Sequence, residues 1–197
     1  MDTVRFQQHT NKMLVVSHPP YHSQEFITPL TVDPCPIVQF RTWFTEVLKG
    51  GVIKEPEVMS LSTATPQGIP SARMVLLKQL DDRGFVFFTN YTSRKSQEIS
   101  ANPHAALVFY WGEVHKSVRV LGKVEKVSRE ESEAYFKSRP ISSQLGAWAS
   151  RQSAVVAEGE VMARLQKLEE RFGVRDQDET GDVPAPDFWG GWRVIPQ

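Results

Sequence analysis

The sequence has one cysteine, Cys35. That excludes an internal disulfide and any metal site built from several thiolates, and it fits a reducing, cytoplasmic compartment. No apolar run is long enough to span a membrane. The N-terminus (Val4, Arg5, Gln7, Gln8, His9, Lys12, then Leu14-Val15-Val16) has no proper signal-peptide core. Charge of one sign is not in excess, because 23 Lys and Arg balance 23 Asp and Glu. This argues against a nucleic-acid protein that relies on a broad basic field, and it leaves room for a local basic pocket. There is no glycine-rich phosphate loop or dinucleotide fingerprint, since Gly112, Gly122 and Gly146 stand alone. Internal repeats and low-complexity tracts are missing too. His104 and His115 are too isolated for a metal site, no Ser-His-Asp arrangement can be read from spacing, and Cys35 before Pro36 has no catalytic context. What is there is ordinary in bulk: 197 residues, 40% hydrophobic and 23% charged, enough for one domain with a real core.

Residues 1–32 show no clear period and are broken by Pro19-Pro20 and Pro29, so they read as an arm. Asp33-Pro34 starts a helix in which Ile37, Phe40, Phe44, Val47 and Leu48 recur at helical spacing, and Gly50-Gly51 end it. From Val58 the period changes to two, with Met59, Leu61 and Thr63 on one face. Pro66-Gln67-Gly68 turns into a strand over Ser71 to Leu80. Asp81 to Gly84 then turns into Phe85 to Thr89, which predicts a hairpin. Thr92 or Ser93 caps a short helix that ends near Asn102-Pro103. Ala105 to Trp111 and Ser117 to Val127 read as a second hairpin. Ser128 to Glu131 is a capping box for a helix reaching about Ser138. Shorter helical pieces follow near Ser142 to Ser150 and through Val161, Leu165, Leu168 and Phe172. An acidic loop, Asp176 to Asp187, leads to a last strand at Trp189 to Ile195. Antiparallel strands joined mostly by hairpins, with helices between and after them, predict an α+β fold built on a small barrel.

Cations are placed where no apolar contact rewards them. Arg73 and Lys78 stand at the two ends of the apolar run Met74-Val75-Leu76-Leu77. Arg94 and Lys95 follow Phe88-Thr89-Asn90 and Ser93. Without a glycine-rich loop, a phosphate would have to be held by Arg forks and Lys point charges, and the cations suffice for two phosphates. Arg94 and Lys95 taken alone read more simply as solvated charges, whereas Arg73 lies in an otherwise apolar strand. Tyr135, Arg139 and Ser143 recur every four residues and can converge on an anion, although Pro140 interrupts the helix. Taken alone, that set reads equally as a helix with a buried Tyr and an exposed Arg. Gln152-Ser153 reads as a loop cap or as amide and hydroxyl donors. Trp111, Trp148, Trp189 and Trp192 read mostly as core, with stacking on an aromatic cofactor as the alternative.

Taken together, Ser71 to Lys78, Phe87 to Lys95, Val108 to Trp111, Tyr135 to Gln144 and Gln152-Ser153 make the chain resemble the pyridoxine (pyridoxamine) 5′-phosphate oxidase family, from about Asp33 onward. The resemblance implies an FMN-binding antiparallel split β-barrel over 33–197, acting as a homodimer with FMN at the subunit interface. It implies that Arg73, Met74, Val75, Leu76, Phe88 and Thr89 line the FMN, with Arg94 and Lys95 on its phosphate and Gln152 and Ser153 nearby. Lys78, Tyr135, Arg139 and Ser143 would hold the phosphate of pyridoxine or pyridoxamine 5′-phosphate. The implied reaction yields pyridoxal 5′-phosphate, with molecular oxygen as acceptor and peroxide as by-product, and with no metal, nucleic acid or membrane.

Two departures from the family pattern stand out. Ser117 occupies an FMN contact where the family usually has Gln. The family also continues past the counterpart of Trp189 to Gln197 with a further strand and an Arg-Leu-His stretch for the substrate. On that pattern the last strand is expected to be orphaned and part of the substrate wall missing. The resulting alternative is a catalytically impaired FMN- or pyridoxal-phosphate-binding protein. A barrel that binds nucleic acid is disfavoured by the zero net charge.

Overall fold

The structure is a computed structural model that describes residues 27–174 and 182–197. Residues 1–26 of the arm expected over 1–32, and the part of the acidic loop over 175–181, lie outside the described residues. Residues Asp33–Gln197 fold as one compact unit.

Helix α1 (Pro36–Gly50) begins slightly later than its Asp33-Pro34 signal, because the Asp33 carboxylate accepts the Cys35 backbone N–H at 2.7 Å in a turn before the helix. It ends at Gly51, whose φ of 63° favours a residue without a side chain. Strand β1 (Val58–Ala64) alternates as expected and buries Met59, Leu61 and Thr63. The run expected as a single strand over Ser71 to Leu80 is bent into β2 (Pro70–Leu76) and β3 (Gln79–Leu80). Next come β4 (Phe85–Asn90), α2 (Arg94–Ala101), β5 (His104–Trp111), β6 (Lys116–Lys126), α3 (Arg129–Lys137), α4 (Ile141–Ala149), α5 (Glu160–Phe172) and β7 (Trp189–Pro196). Ser128 caps α3 as read, its hydroxyl accepting the Glu131 N–H at 3.1 Å, while the Glu131 carboxylate, which would complete a capping box, pairs with Arg193.

The seven strands are ordered β2-β1-β5-β6-β7-β4-β3 and pair antiparallel throughout. The bend between β2 and β3 gives this order its meaning. Leu77 N–H donates to the Glu57 carbonyl on the β1 side, and the very next N–H, of Lys78, donates to the Val86 carbonyl on the β4 side, each at 2.9 Å. One stretch of chain therefore supplies both ends of the sheet and curls it into an antiparallel split β-barrel.

The last strand is not orphaned, contrary to expectation. β7 lies inside the sheet, with Trp192 opposite Phe87 on β4 and Val194 opposite Val124 on β6. It approaches β6 closely at Gly122, where a Cβ would strike the Ile195 carbonyl oxygen. Arg193 of β7 is buried, and its guanidinium pairs with Asp81 at 2.7 Å and Glu131 at 3.0 Å, tying the β3–β4 turn and α3 to the middle of the sheet. Burial opposes the charge of Arg193, but Asp81 and Glu131 outweigh it and raise its pKa.

Two apolar clusters result. One fills the barrel: the Phe40 ring of α1 packs at 4.8 Å against both Phe85 and Phe109, beside Trp111. Trp111 satisfies its indole N–H on the Pro56 carbonyl at 3.0 Å. The other gathers Phe136, Leu145, Val183 and Trp189 under α3, α4 and the 182–188 segment. The sheet's outer face is less covered, and Met74 of β2, Tyr110 of β5 and Leu121 of β6 stand exposed on it. Among the described residues no helix is long and apolar enough to cross a membrane.

Candidate functional site

The bend in the barrel wall opens a cleft of about 610 Å³. The end of β2 contributes Arg73, Met74, Val75 and Leu76, and Lys78 follows at the bend. β4 contributes Phe88 and Thr89, and α2 contributes Lys95. The α3–α4 corner adds Tyr135, Arg139, Pro140 and Ser143, the turn after α4 adds Gln152, and β7 adds Trp189. The alternation of β2 explains its share: Arg73 and Val75 face inward while Met74 and Leu76 face out, so the bend exposes both sets to one hollow.

Arg73, Lys78, Lys95 and Arg139 bring positive charge to the cleft, and no carboxylate lines it among the described residues. Lys95 is buried, with its ammonium 3.1 Å from the Gln152 side-chain oxygen and 3.3 Å from the Thr89 hydroxyl. Thr89 in turn donates to the same Gln152 oxygen at 2.8 Å. Burial, and after it the charge of Arg73, lowers the Lys95 pKa. Arg139 lies over the Trp189 ring, and burial lowers its pKa while Tyr135 opposes the shift. Its Nη1 is buried with no hydrogen-bond partner among the described residues. A guanidinium held this way is poised for an anion from outside the chain. Phe88, Tyr135 and Trp189 stack nearly parallel, with the Phe88 and Tyr135 rings 4.0 Å apart, and give the cleft a flat aromatic wall.

The corner at Pro140 brings Tyr135, Arg139 and Ser143 to the cleft despite the break between α3 and α4: Pro140 caps α4, and its carbonyl accepts the Ser143 N–H at 2.9 Å. Three sequence-selected residues are not among those that line it. Arg94 is largely exposed and pairs through Nε with Glu98 at 2.8 Å. Ser117 sits on the outer sheet face opposite Tyr110. Ser153 occupies the turn after α4 with a left-handed φ of 65°.

Glu98 of α2 was not singled out by the sequence. It is 6% exposed and lies behind the cleft, where it accepts hydrogen bonds from the Thr63 hydroxyl, from Ser71 at 2.5 Å, from Arg73 at 3.3 Å and from Arg94 at 2.8 Å. Burial pushes its carboxyl up, but hydrogen bonds from Ser71, Thr63 and Arg94 outweigh it and hold the pKa at about 2. The available signal is weak, since a Glu four residues after an Arg on a helix reads as a surface pair.

A split barrel of antiparallel strands, with a cationic and aromatic cleft at its bend, defines the class of protein. The solved structure of PhzG from Burkholderia lata 383, in complex with tetrahydrophenazine-1-carboxylic acid, shares it at a TM-score of 0.77 and 27% identity, covering 87% of this chain and 82% of that one. An FMN-binding, pyridoxamine 5′-phosphate oxidase-related protein from Nostoc punctiforme has the same fold at a TM-score of 0.63 and 13% identity, over 82% of this chain and 81% of that one. The family model for pyridoxamine 5′-phosphate oxidase matches residues 46–172. The pyridoxine/pyridoxamine 5′-phosphate oxidase of Rubrobacter xylanophilus is 57% identical over 84% of this chain and 73% of its own length. That of a Nostoc species is 49% identical over 89% of this chain and 79% of its own length. The chain belongs to the pyridoxamine 5′-phosphate oxidase family.

Proposed function

We propose that this chain binds FMN and oxidises pyridoxine 5′-phosphate or pyridoxamine 5′-phosphate to pyridoxal 5′-phosphate. The observation that carries this reading is the charge of the cleft among the described residues: four cationic side chains, no lining carboxylate, and one buried guanidinium nitrogen with an unused donor. Both molecules are phosphate esters joined to flat heterocycles, and a cationic cleft with an aromatic wall fits such groups. Arg73, Met74, Val75, Leu76, Phe88, Thr89 and Lys95 would hold the FMN, with Arg94, Gln152 and Ser153 beside them. Lys78, Tyr135, Arg139 and Ser143 would hold the ester phosphate of the substrate.

When bound, the flavin supplies the two-electron acceptor, and molecular oxygen is the terminal oxidant with peroxide as by-product. The protein supplies position. Arg139 and Lys78 grip the phosphate at a distance from the reacting C4′ carbon, so binding energy orients that carbon without an acid–base pair beside it. The hydroxyls of Tyr135 and Ser143 would add directional hydrogen bonds, and the Phe88, Tyr135 and Trp189 stack gives one side of the cleft an aromatic wall.

The reading includes a homodimer. Its support is the exposed outer sheet face, where Met74 is 62% and Tyr110 72% exposed, and where Ser117 and Arg119 point outward between them and Leu121. A second copy against this face would bring Ser117 to an FMN that a single chain does not let it reach.

The test is a visible absorption spectrum of the purified chain, followed by pyridoxine 5′-phosphate in air. A flavin band with peroxide formation supports the oxidase. A flavin band without turnover favours a binding-only protein, and no flavin uptake after incubation with FMN overturns the reading.

A further inference from the structure

Behind the cleft, Glu98 joins groups from three elements. Its Oε2 accepts from Thr63 of β1 and from Ser71 and Arg73 of β2, while Oε1 accepts from Arg94 of its own helix. The two hydroxyls have fixed directions. Each gives its single proton to Glu98 and accepts from Arg73: Thr63 from Nη1 at 2.6 Å, and Ser71 from Nη2 at 2.5 Å. Arg73 Nη1 also donates to the Leu61 carbonyl at 3.1 Å. The guanidinium is thus clamped at both terminal nitrogens, and its Nε edge is the part left to face a ligand. Arg94 is held the other way round, through Nε, which leaves its terminal nitrogens outward. Lys95 is buried beside them.

We propose that Glu98 is the positioning residue of the phosphate-binding end, a carboxylate that never touches the ligand and that fixes how Arg73 and Arg94 are presented to it. This rests on the reading that the cleft takes FMN. Three cations close together repel one another, and without a counterion the flexible arginines would swing apart toward water. Glu98 offsets that repulsion at the back of the site and leaves the front cationic. The arrangement makes an otherwise paradoxical prediction. By Coulomb's law alone, deleting a negative charge near an anion site tightens anion binding. If positioning dominates, deletion loosens it.

The experiment compares FMN with riboflavin, which carries the same ring system without the phosphate. Both are titrated into apoprotein by flavin fluorescence quenching, for the wild type and Glu98→Gln. Glutamine keeps the size and one acceptor oxygen but loses the charge and presents a donor to the two hydroxyls. We expect FMN affinity to fall about 10-fold or more, the scale of one charge-assisted hydrogen bond, with riboflavin affinity unchanged. Unchanged or tighter FMN binding overturns the proposal, and so does equal weakening of both flavins, which marks a merely structural residue. A wild type that binds FMN no better than riboflavin overturns the reading of the cleft itself, and the role of Glu98 with it. Should Glu98→Gln not fold, Ser71→Ala decides by the same two titrations, because it removes one link between Glu98 and Arg73 at a partly exposed position. The expected result is the same selective loss for FMN, smaller in size, and no selective loss overturns the proposal.

Discussion

The guanidinium carbon of Arg139 lies 5.0 Å from the centre of the Trp189 ring, and one of its terminal nitrogens is buried without a hydrogen-bond partner among the described residues. The ring holds the cation in place without using its N–H donors, so these remain for an anion. Trp189 belongs to the last strand, and Arg139 to the corner between two helices far from it in sequence. This arrangement of Arg139 therefore exists only once β7 is in place.

Arg139→Ala is expected to raise KM for pyridoxine 5′-phosphate at least about 10-fold, with a smaller change in kcat, because the contact proposed for it is to the remote phosphate. Lys137→Ala, at the exposed end of α3, is expected to change neither. Steady-state kinetics of the two variants checks this, and equal effects would remove Arg139 from the assignment.

The Lys95 pKa is depressed by burial and by Arg73, so its charge is lost at a pH below the ordinary lysine value of 10.5. As pH rises through that depressed value, FMN should bind more weakly. The fold should not weaken with it, since a buried lysine that prefers to be neutral makes the native state more stable as pH climbs toward the unfolded value. Flavin titrations and thermal melts on the same alkaline series should diverge; a parallel decline would contradict the assignment.

In Glu98 it is the charged form that stabilises the fold. Its carboxyl sits at about 2 in the fold against an ordinary 4.5. The stability it contributes is present above pH 4.5 and is lost as pH falls toward 2, and it amounts to at most about 3 kcal/mol. Wild type should melt above Glu98→Gln at pH 7, and the gap should narrow by pH 3. A gap that stays constant would show that the carboxylate charge is not what stabilises this corner.

Gly122→Ala should destabilise the barrel by about 2 kcal/mol or more, because the atom it meets is the Ile195 backbone carbonyl oxygen, which cannot rotate away. Gly146→Ala in α4 meets nothing within 4 Å and should be neutral or slightly stabilising. Thermal denaturation of both variants separates crowding from a general intolerance of substitution at glycine.

Local chemistry made much of this legible beforehand. The Asp81 to Gly84 turn, the helix cap at Ser128 and the alternation of Met59, Leu61 and Thr63 each depend on neighbours a few residues away, and each formed as read. The bend at Leu77-Lys78 was not legible. No Gly or Pro marks it, and the inward alternation of Arg73, Val75 and Leu77 runs straight into it; only the distant carbonyls of Glu57 and Val86 decide where the ladder changes sides. The place of β7 was hidden for the same reason, since its partners β4 and β6 are not its neighbours in sequence. In the cleft, Arg73 and Lys78 were conspicuous as charges at the ends of an apolar run, and Arg139 through its four-residue spacing from Tyr135 and Ser143. Glu98 was not, because a carboxylate four residues after an arginine looks the same whether it faces water or the back of a barrel.

The position of β7 bears on how the chain reaches this state. Asn90 is made long before Trp189, its partner across the ladder, so one edge of β4 stays open through most of synthesis. Pairings so distant along the chain form late and slow the search for the native topology. Until then Phe85, Phe87 and Phe88 present an unfinished, aromatic strand to any neighbouring nascent chain. The yield of soluble protein should accordingly respond to expression temperature and to chaperone supply more than the packing of the finished barrel suggests.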